Sequence, residues 1–387
     1  MSLVFTPEQE ELRATVRRFL AEKSPSAQVR RWIDAAAGYD PRLWDRMATE
    51  LGLHGLALPE RFGGSGGGPV ELGIVLEEMG RALVPSPYFA TVALAGQALV
   101  ASNDVAAQEA WLPGIVDGSV LATLALAEES GSWRLADVAT VAEPGPAGWT
   151  LSGTKMFVID GHRADLLLVV ARTEAGPGLF AVTADAAGLT RRRIETFDAT
   201  RQLARIELNF TPAQRIGPDD STHYLREILD LAITALAAEQ VGGTQACLDA
   251  AVDYAKIRVQ FDRPIGSFQA IKHKCADLLL DLEAARSAAY HAAAVAADEP
   301  GELPAAAALA ASWCSAAFTR AAKENIQIHG GIGYTWEHDA HLYLKRAKAS
   351  EQLFGAPALH RSRLAELVGI TRDPKIPAEP GSVLAKG

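Results

Sequence analysis

The sequence of 387 residues is too long for one compact hydrophobic core and indicates two or three domains. Hydrophobic residues make up 49% of the chain and charged residues 22%, which is typical of a soluble globular protein and excludes a disordered one. The formal net charge of −10 argues against general affinity for nucleic acid or for an anionic membrane surface.

The cysteines and the N-terminal residues favour a cytoplasmic protein. Cys247, Cys275 and Cys314 fall within helical patterns and form no C-x-x-C pair, so we interpret them as reduced core residues. The opening residues mix charged and apolar side chains and do not form a signal-peptide core. No apolar run approaches the roughly 18 residues that a membrane span needs.

Hydrophobic periodicity divides the chain into three predicted domains. Residues 1–119 favour helices, the first of them capped by Thr6. Short β-favouring runs separated by Gly, Pro and Asp then predict an all-β domain over residues 120–220. The helical period returns over residues 221–370, and the Pro- and Gly-rich residues 371–387 predict a mobile tail.

The stretch Tyr254–Leu280 carries the most specific combination of residues in the chain. Its apolar residues recur at three- and four-residue steps on both sides of a break. Pro264 and Gly266 are expected to end one helix there, and Ser267 is expected to cap the next. The pattern therefore predicts two helices joined by a single Pro-Gly turn.

Arg258, Gln260 and Phe261 lie at the end of the first of these helices. An arginine, an amide and an aromatic ring in one corner suit a phosphate-bearing ligand, because arginine forms charge-assisted hydrogen bonds with phosphate. The alternative is a helical hairpin whose arginine pairs with a surface carboxylate.

A second cluster, QIHGGIG, spans residues 327–333 between two helical stretches. Paired glycines allow backbone N–H groups to approach a ligand, although such a run is also typical of a loop that ends a helix. The nearby His338, Asp339 and His341 have no spacing typical of a zinc site, so we expect a polar helix start and no metal.

RVQFDRPIGSFQAIKHKCADL, together with QIHGGIG, resembles the acyl-CoA dehydrogenase family, and the resemblance extends from about Phe5 to about Ile370. It implies an α+β fold with an N-terminal all-α domain, a central β-barrel or sandwich domain and a C-terminal four-helix bundle. It also implies FAD bound at a subunit interface. The cofactor-binding residues that it implies are Arg258, Gln260, Phe261, Phe268, Gln327, Gly330 and Gly331.

The sequence departs from this family where the reaction needs a base. The family's carboxylate lies in a Y-E-G-T segment, and the matching segment here places Phe354 at the glutamate position. Some relatives carry the base earlier, at the position that holds Ala232 in this chain. Glu239 lies about two turns further along the same helix face and is a candidate base, or else a structural glutamate.

The β domain departs from the family in a similar way. The family's K-x-W-I-T segment reads Lys155 to Ile159 here, with Phe157 at the tryptophan that covers the flavin. Ile159 stands at the threonine that bonds flavin N5, and an aliphatic side chain donates no hydrogen bond.

These departures lead to the hypothesis that the chain is the adenosine-side, base-lacking subunit of a heteromeric acyl-CoA dehydrogenase. Its partners would be an acyl-CoA substrate and a second, catalytically equipped chain in a heterotetramer. One alternative is a self-sufficient homo-oligomer that uses Glu239. Another is a flavin-free scaffold protein of the same fold. The identity of the acyl group stays open.

Overall fold

The computed structural model describes residues 4–146, 148–219 and 221–370 of the chain. It confirms the predicted order of a helical, a β and a second helical part. The predicted tail over residues 371–387 lies outside the described residues. None of the described helices combines the length and the apolar character that a membrane crossing requires.

The N-terminal part consists of short helices whose buried residues share one hydrophobic core with the sheet and the bundle. Thr6 caps the first helix as predicted, since its hydroxyl accepts the N–H of Gln9 while the Gln9 side chain accepts the N–H of Thr6. A π-helical segment, Phe89–Gly96, leads directly into the fifth helix. The helices are α1 Pro7–Lys23, α2 Ser26–Asp34, α3 Pro41–Thr49, α4 Pro69–Arg81, α5 Gln97–Ala101 and α6 Val105–Val116.

The middle part is a seven-stranded mixed sheet whose pairings close into a ring, from β4 through β5, β7, β3 and β2 back to β4. Its strands are β1 Ala122–Ala125, β2 Val141–Gly145, β3 Gly148–Ile159, β4 Leu166–Thr173, β5 Gly176–Thr183, β6 Leu189–Ile194 and β7 Leu203–Ile216. The β-favouring runs did not include β6, because three of its central residues are arginines. Among the described strands it pairs only with β7, and charged residues are common on such edge strands.

The C-terminal part contains three long helices, α7 Thr222–Ile257, α8 Gln269–Asp298 and α9 Leu303–His329. Two shorter helices, α10 Ala340–Ser350 and α11 Pro357–Leu367, follow them. Small residues on α7 let this helix approach α4 closely. A Cβ atom added at Gly242 would lie 1.8 Å from the carbonyl oxygen of Glu77, so only glycine fits this crossing.

The junction between α7 and α8 differs from the predicted Pro-Gly turn. Two short strands, β8 Val259–Gln260 and β9 Arg263–Pro264, form a hairpin there. Phe261 and Asp262 make its two-residue turn with φ angles of 53° and 60°, and two positive φ angles suit the twist of a tight hairpin.

Ser267 does not cap α8 as predicted. It belongs to a 3₁₀ turn, and Phe268 takes the position before α8 without a side-chain cap. The prediction of one turn was wrong because the hairpin uses left-handed backbone at two residues that are not glycine.

Candidate functional site

The hairpin after α7 presents the first group of predicted cofactor-binding residues at the surface. The side chain of Arg258 is exposed and forms no hydrogen bond or ion pair with the described residues. The side-chain amide of Gln260 donates to the neighbouring carbonyl of Val259 at 2.8 Å. Phe261 is 86% exposed and packs edge-on against the ring of Phe268, with centroids 6.0 Å apart. These side chains are therefore free to meet a ligand or another chain.

The loop after α9 presents the second group. Gln327 lies exposed in the last turn of α9, and the helix ends at His329. Gly330 leaves the helix with φ 65° and ψ −139°, a backbone conformation that glycine adopts most readily. A Cβ atom added at Gly330 or Gly331 would meet nothing within 4 Å, so the peptide backbone is open to an approaching group.

The structure brings these two groups to the same end of the bundle. Ala255 on α7 and Ile328 on α9 belong to one small buried cluster that Ile265 of the hairpin junction also contacts. Residues separated widely in the sequence thus form one exposed surface. We call it the adenosine-side surface, and it consists of Arg258, Gln260, Phe261, Phe268, Gln327, Gly330 and Gly331.

The position expected to hold the base is closed by aromatic side chains. Phe354 is only 6% exposed, and its ring centroid lies 5.0 Å from that of Trp133 and 6.4 Å from that of Phe89. The indole N–H of Trp133 donates to the carbonyl of Gln352 at 3.0 Å, which holds the β domain against this segment. Phe354 therefore fills space between the domains and offers no proton acceptor.

Glu239, the other candidate base, is buried between two arginines. Its Oε1 accepts a hydrogen bond from Nη1 of Arg346 at 3.0 Å, and its Oε2 accepts one from Arg201. Burial alone would raise the pKa of Glu239, but the charges and hydrogen bonds of Arg201 and Arg346 outweigh it and hold that pKa below its usual value. In this arrangement Glu239 is a paired carboxylate with no free oxygen.

Further polar groups extend this arrangement at the boundary between the β domain and the bundle. Nε of Arg346 lies 2.7 Å from Oδ2 of Asp198 as an ion pair, and Nη2 donates to the hydroxyl of Thr200 at 2.6 Å. We call this group the inter-domain cluster, and its members are Asp198, Thr200, Arg201, Glu239 and Arg346. Sequence reasoning missed all of them except Glu239, since no motif marks a buried arginine.

The space left beside the inter-domain cluster is small. A cavity of about 20 Å³ is lined by Glu239, Arg201, Arg346 and Asp160, among others, and has room for about one water molecule. Burial raises the pKa of Asp160 to about 6, although the charges of Arg163, Arg201 and Arg346 oppose the shift. The charged groups in this region therefore lie close to one another, and little space remains between them.

Ile159 and Phe157 are the two residues at which the β domain departs from the family pattern. Ile159 is buried, and its carbonyl accepts a hydrogen bond from the Thr123 hydroxyl at 2.6 Å. Phe157 is half-buried with φ 57°. Lys155 beside it is fully buried, and burial lowers its pKa to about 8 even though Glu128 binds its ammonium at 2.7 Å. The segment therefore anchors the strand and provides no side-chain donor at residue 159.

The remaining positions considered as base or metal-site candidates have structural roles. Ala232 is buried on α7, two residues after Asp230, whose carboxylate binds Arg363 at 2.8 Å. Nδ1 of His338 accepts the N–H of Ala340 at the start of α10, and Asp339 binds Arg30 at 2.6 Å. These last two residues thus form the polar helix start that the sequence predicts.

The residues fit the two halves of FAD, which the resemblance implies, in different ways. The exposed Arg258 and the open backbone at Gly330 and Gly331 suit phosphate and adenosine groups. Between the domains of the described residues, aromatic rings pack against Phe354, and the cavity of about 20 Å³ beside Glu239 is too small for a flavin ring. The adenosine half therefore suits the exposed surface, and the flavin half does not fit the cavity beside Glu239.

Comparison with known proteins places these features in a family. Models of acyl-CoA dehydrogenases match the chain at residues 6–119 for the N-terminal domain, 123–212 for the middle domain and 222–369 for the C-terminal domain. The acyl-CoA dehydrogenase IpdE2 of Mycobacterium tuberculosis is 38% identical over 356 residues, which cover 90% of this chain and 94% of that protein.

Two solved structures are also similar over nearly the whole chain. One is described as a Tcur3481–Tcur3483 steroid ACAD variant, with a TM-score of 0.87, 34% identity, and coverage of 94% of this chain and 98% of that one. The other is the ChsE4–ChsE5 complex from Mycobacterium tuberculosis, with a TM-score of 0.89, 29% identity, and coverage of 96% and 100% respectively.

Proposed function

Because this chain belongs to the acyl-CoA dehydrogenase family of FAD-dependent oxidoreductases, we propose that it is the adenosine-side subunit of a heteromeric acyl-CoA dehydrogenase. In this role it completes the cofactor site of a second chain that supplies the base. The reaction is α,β-dehydrogenation of an acyl-CoA thioester, in which bound FAD accepts a hydride.

The observation that carries this proposal is the closed space around Phe354. A base must lie within hydrogen-bond reach of the proton that it removes. The buried Phe354 has no acceptor atom, and Glu239 has both oxygens bound by arginines. Because the cavity beside Glu239 has room for about one water, a thioester and a flavin ring do not fit there together.

The adenosine-side surface supports the proposal that this chain completes the cofactor site of a second chain. Arg258 is a permanent cation that bonds phosphate through several N–H groups, and it has no partner among the described residues of its own chain. Phe261, three residues further along the hairpin, is apolar and 86% exposed. A surface of this kind suits burial against another protein chain.

The similar structures support a two-chain assembly. The ChsE4–ChsE5 complex and the Tcur3481–Tcur3483 steroid ACAD are each described with two differently named components. A steroid-derived acyl-CoA is accordingly the first substrate to offer to an assembly that contains this chain.

The first experiment is to purify the chain alone and record its visible spectrum. We expect less than stoichiometric flavin and no bleaching by acyl-CoA. Mass measurement of the assembly isolated from the native host should then give a second chain and fewer flavins than polypeptides. One bound flavin per isolated chain, bleached by an acyl-CoA, would contradict the proposal. A native assembly without flavin would favour the scaffold alternative.

The position of Glu239 beside the cavity keeps one alternative open, a self-sufficient homo-oligomer that uses this carboxylate. Glu239→Gln tests it, because glutamine preserves the size of the side chain and removes the proton acceptor. A collapse of turnover in a folded variant of a homo-oligomer would favour this alternative. Unchanged turnover in the two-chain assembly would exclude Glu239 as the base.

A further inference from the structure

Three aromatic rings are stacked beneath the adenosine-side surface. The ring of His329 lies 4.3 Å from that of Tyr254, with an interplanar angle of 27°. On its other side, the ring of His338 is also 4.3 Å away, at an angle of 49°. Tyr254 belongs to α7, His329 to α9 and His338 to the loop before α10. The stack therefore joins three segments of the bundle.

Two members of the stack are bonded directly to the groups that meet the ligand. The carbonyl of Tyr254 accepts the backbone N–H of Arg258 at 2.9 Å. His329 is the residue immediately before Gly330. The stack thus links two residues whose backbones adjoin the two halves of the adenosine-side surface.

Hydrogen bonds orient both imidazoles. Nδ1 of His329 lies 2.8 Å from the carbonyl oxygen of Asn325, so this nitrogen carries the proton and donates it. Nδ1 of His338 accepts the N–H of Ala340 at 3.1 Å. The Tyr254 hydroxyl has no hydrogen-bond partner among the described residues, so its ring is what this residue contributes to the stack.

Building on the proposed adenosine-side role, we infer that Tyr254, His329 and His338 are positioning residues for the diphosphate end of the cofactor. Their stack holds Arg258 and the backbone at Gly330 in one arrangement, so that a single adenosine diphosphate group meets both. Without the stack, the buried cluster of Ala255 and Ile328 would still hold α7 against α9, but the hairpin and the glycine loop would be less fixed, and the ligand would have to order them when it binds.

ADP is the probe for this inference, and its binding to the flavin-free two-chain assembly can be measured by calorimetric titration. Stacked aromatic pairs contribute about 0.5–1.5 kcal/mol beyond their buried area, which corresponds to a roughly two- to tenfold change in affinity. We expect Tyr254→Leu and His329→Leu to bind ADP about two- to tenfold more weakly. Tyr254→Phe keeps the ring and should bind ADP like the wild type.

Cys314→Ala is the matched control for a loss of stability alone. Cys314 is fully buried within α9, where its thiol contacts the carbonyl of Ala285 at 3.3 Å, and it is not part of the stack. This variant should lower the unfolding temperature and leave ADP affinity unchanged.

The outcomes separate this inference from the proposed function. Wild-type ADP affinity in Tyr254→Leu would overturn the role of the stack, as would an equal loss in Tyr254→Phe or in Cys314→Ala. A wild-type two-chain assembly that shows no saturable ADP binding would instead overturn the adenosine-side surface and, with it, the proposed function.

Discussion

The arginines of the adenosine-side surface and of the inter-domain cluster differ in exposure and in pairing. Arg258 is exposed and without a side-chain partner among the described residues, whereas Arg201 and Arg346 are buried and share the carboxylate of Glu239. A solvated, unpaired cation remains available to an anionic ligand, and a buried ion pair has already satisfied its own charges. The comparison shows that the exposed end of the bundle leaves a cation available to a ligand, whereas the charged groups between the domains already pair with one another.

The largest effect should come from breaking the inter-domain cluster. Arg346→Met removes the guanidinium that contacts Asp198, Thr200 and Glu239, and so leaves the buried Asp198 without its counter-ion. We expect the free energy of unfolding to fall by about 3–5 kcal/mol, as measured by urea denaturation.

Arg46→Gln is the matched control for Arg346→Met. Arg46 pairs with Glu50 on the surface of α3, and we expect its removal to change the unfolding free energy far less than Arg346→Met does, because solvent screens an exposed pair. Similar losses in both variants would mean that the cluster contributes no more than a surface ion pair does.

A carboxylate at residue 354 should not restore chemistry to this chain. Phe354→Glu removes ring contacts with Trp133 and Phe89 and buries a polar group in their place. We expect a loss of roughly 2–4 kcal/mol in unfolding free energy and no acyl-CoA-dependent flavin bleaching by the isolated chain. Phe354→Leu, which stays apolar, should lose less. A gain of turnover in Phe354→Glu would show that the space can open.

Substitutions on the adenosine-side surface should weaken cofactor binding and leave the free energy of unfolding almost unchanged. Arg258→Ala should change unfolding free energy by less than about 0.5 kcal/mol, because the side chain is exposed and unpaired. Hydrogen bonds to charged groups contribute about 1.5–3 kcal/mol, so FAD should dissociate from the two-chain assembly roughly tenfold or more faster. Lys256→Ala, which removes a nearby exposed cation paired with Asp253, serves as the control.

The stability of the buried region should also depend on pH. Burial raises the pKa of Asp160 from 3.8 to about 6, so the folded chain holds its proton up to a higher pH than the unfolded chain does. The stability that this proton contributes is fully present below pH 3.8 and is lost as pH rises through about 6. The slope is at most about 1.4 kcal/mol per pH unit.

Asp160→Asn tests this dependence, because asparagine tolerates the positive φ of 53° at this position. Between pH 4 and 6, the unfolding free energy of the wild type should fall relative to that of the variant. Parallel stability curves for the two proteins over that range would contradict a raised pKa at Asp160.

Sequence patterns predicted the local structure well where one period continued without interruption. The helical character of α7 to α9, the Thr6 cap and most strands of the β domain follow from spacing and turn residues. The prediction failed at the hairpin after α7, because Phe261 and Asp262 adopt left-handed backbone that is uncommon for such residues. It also missed β6, because the three consecutive arginines of this edge strand interrupt the alternation of apolar and polar residues.

The sequence by itself determined the family and the order of the three parts, and it predicted the residues of the adenosine-side surface, because these depend on local motifs and periodicity. Only the tertiary structure decided the state of Glu239. Its partners Arg201 and Arg346 lie 38 and 107 positions away in the chain, and no local pattern signals that they meet. Burial and neighbouring charges decide whether a carboxylate is a free base or half of an ion pair, and both arise only when the chain folds.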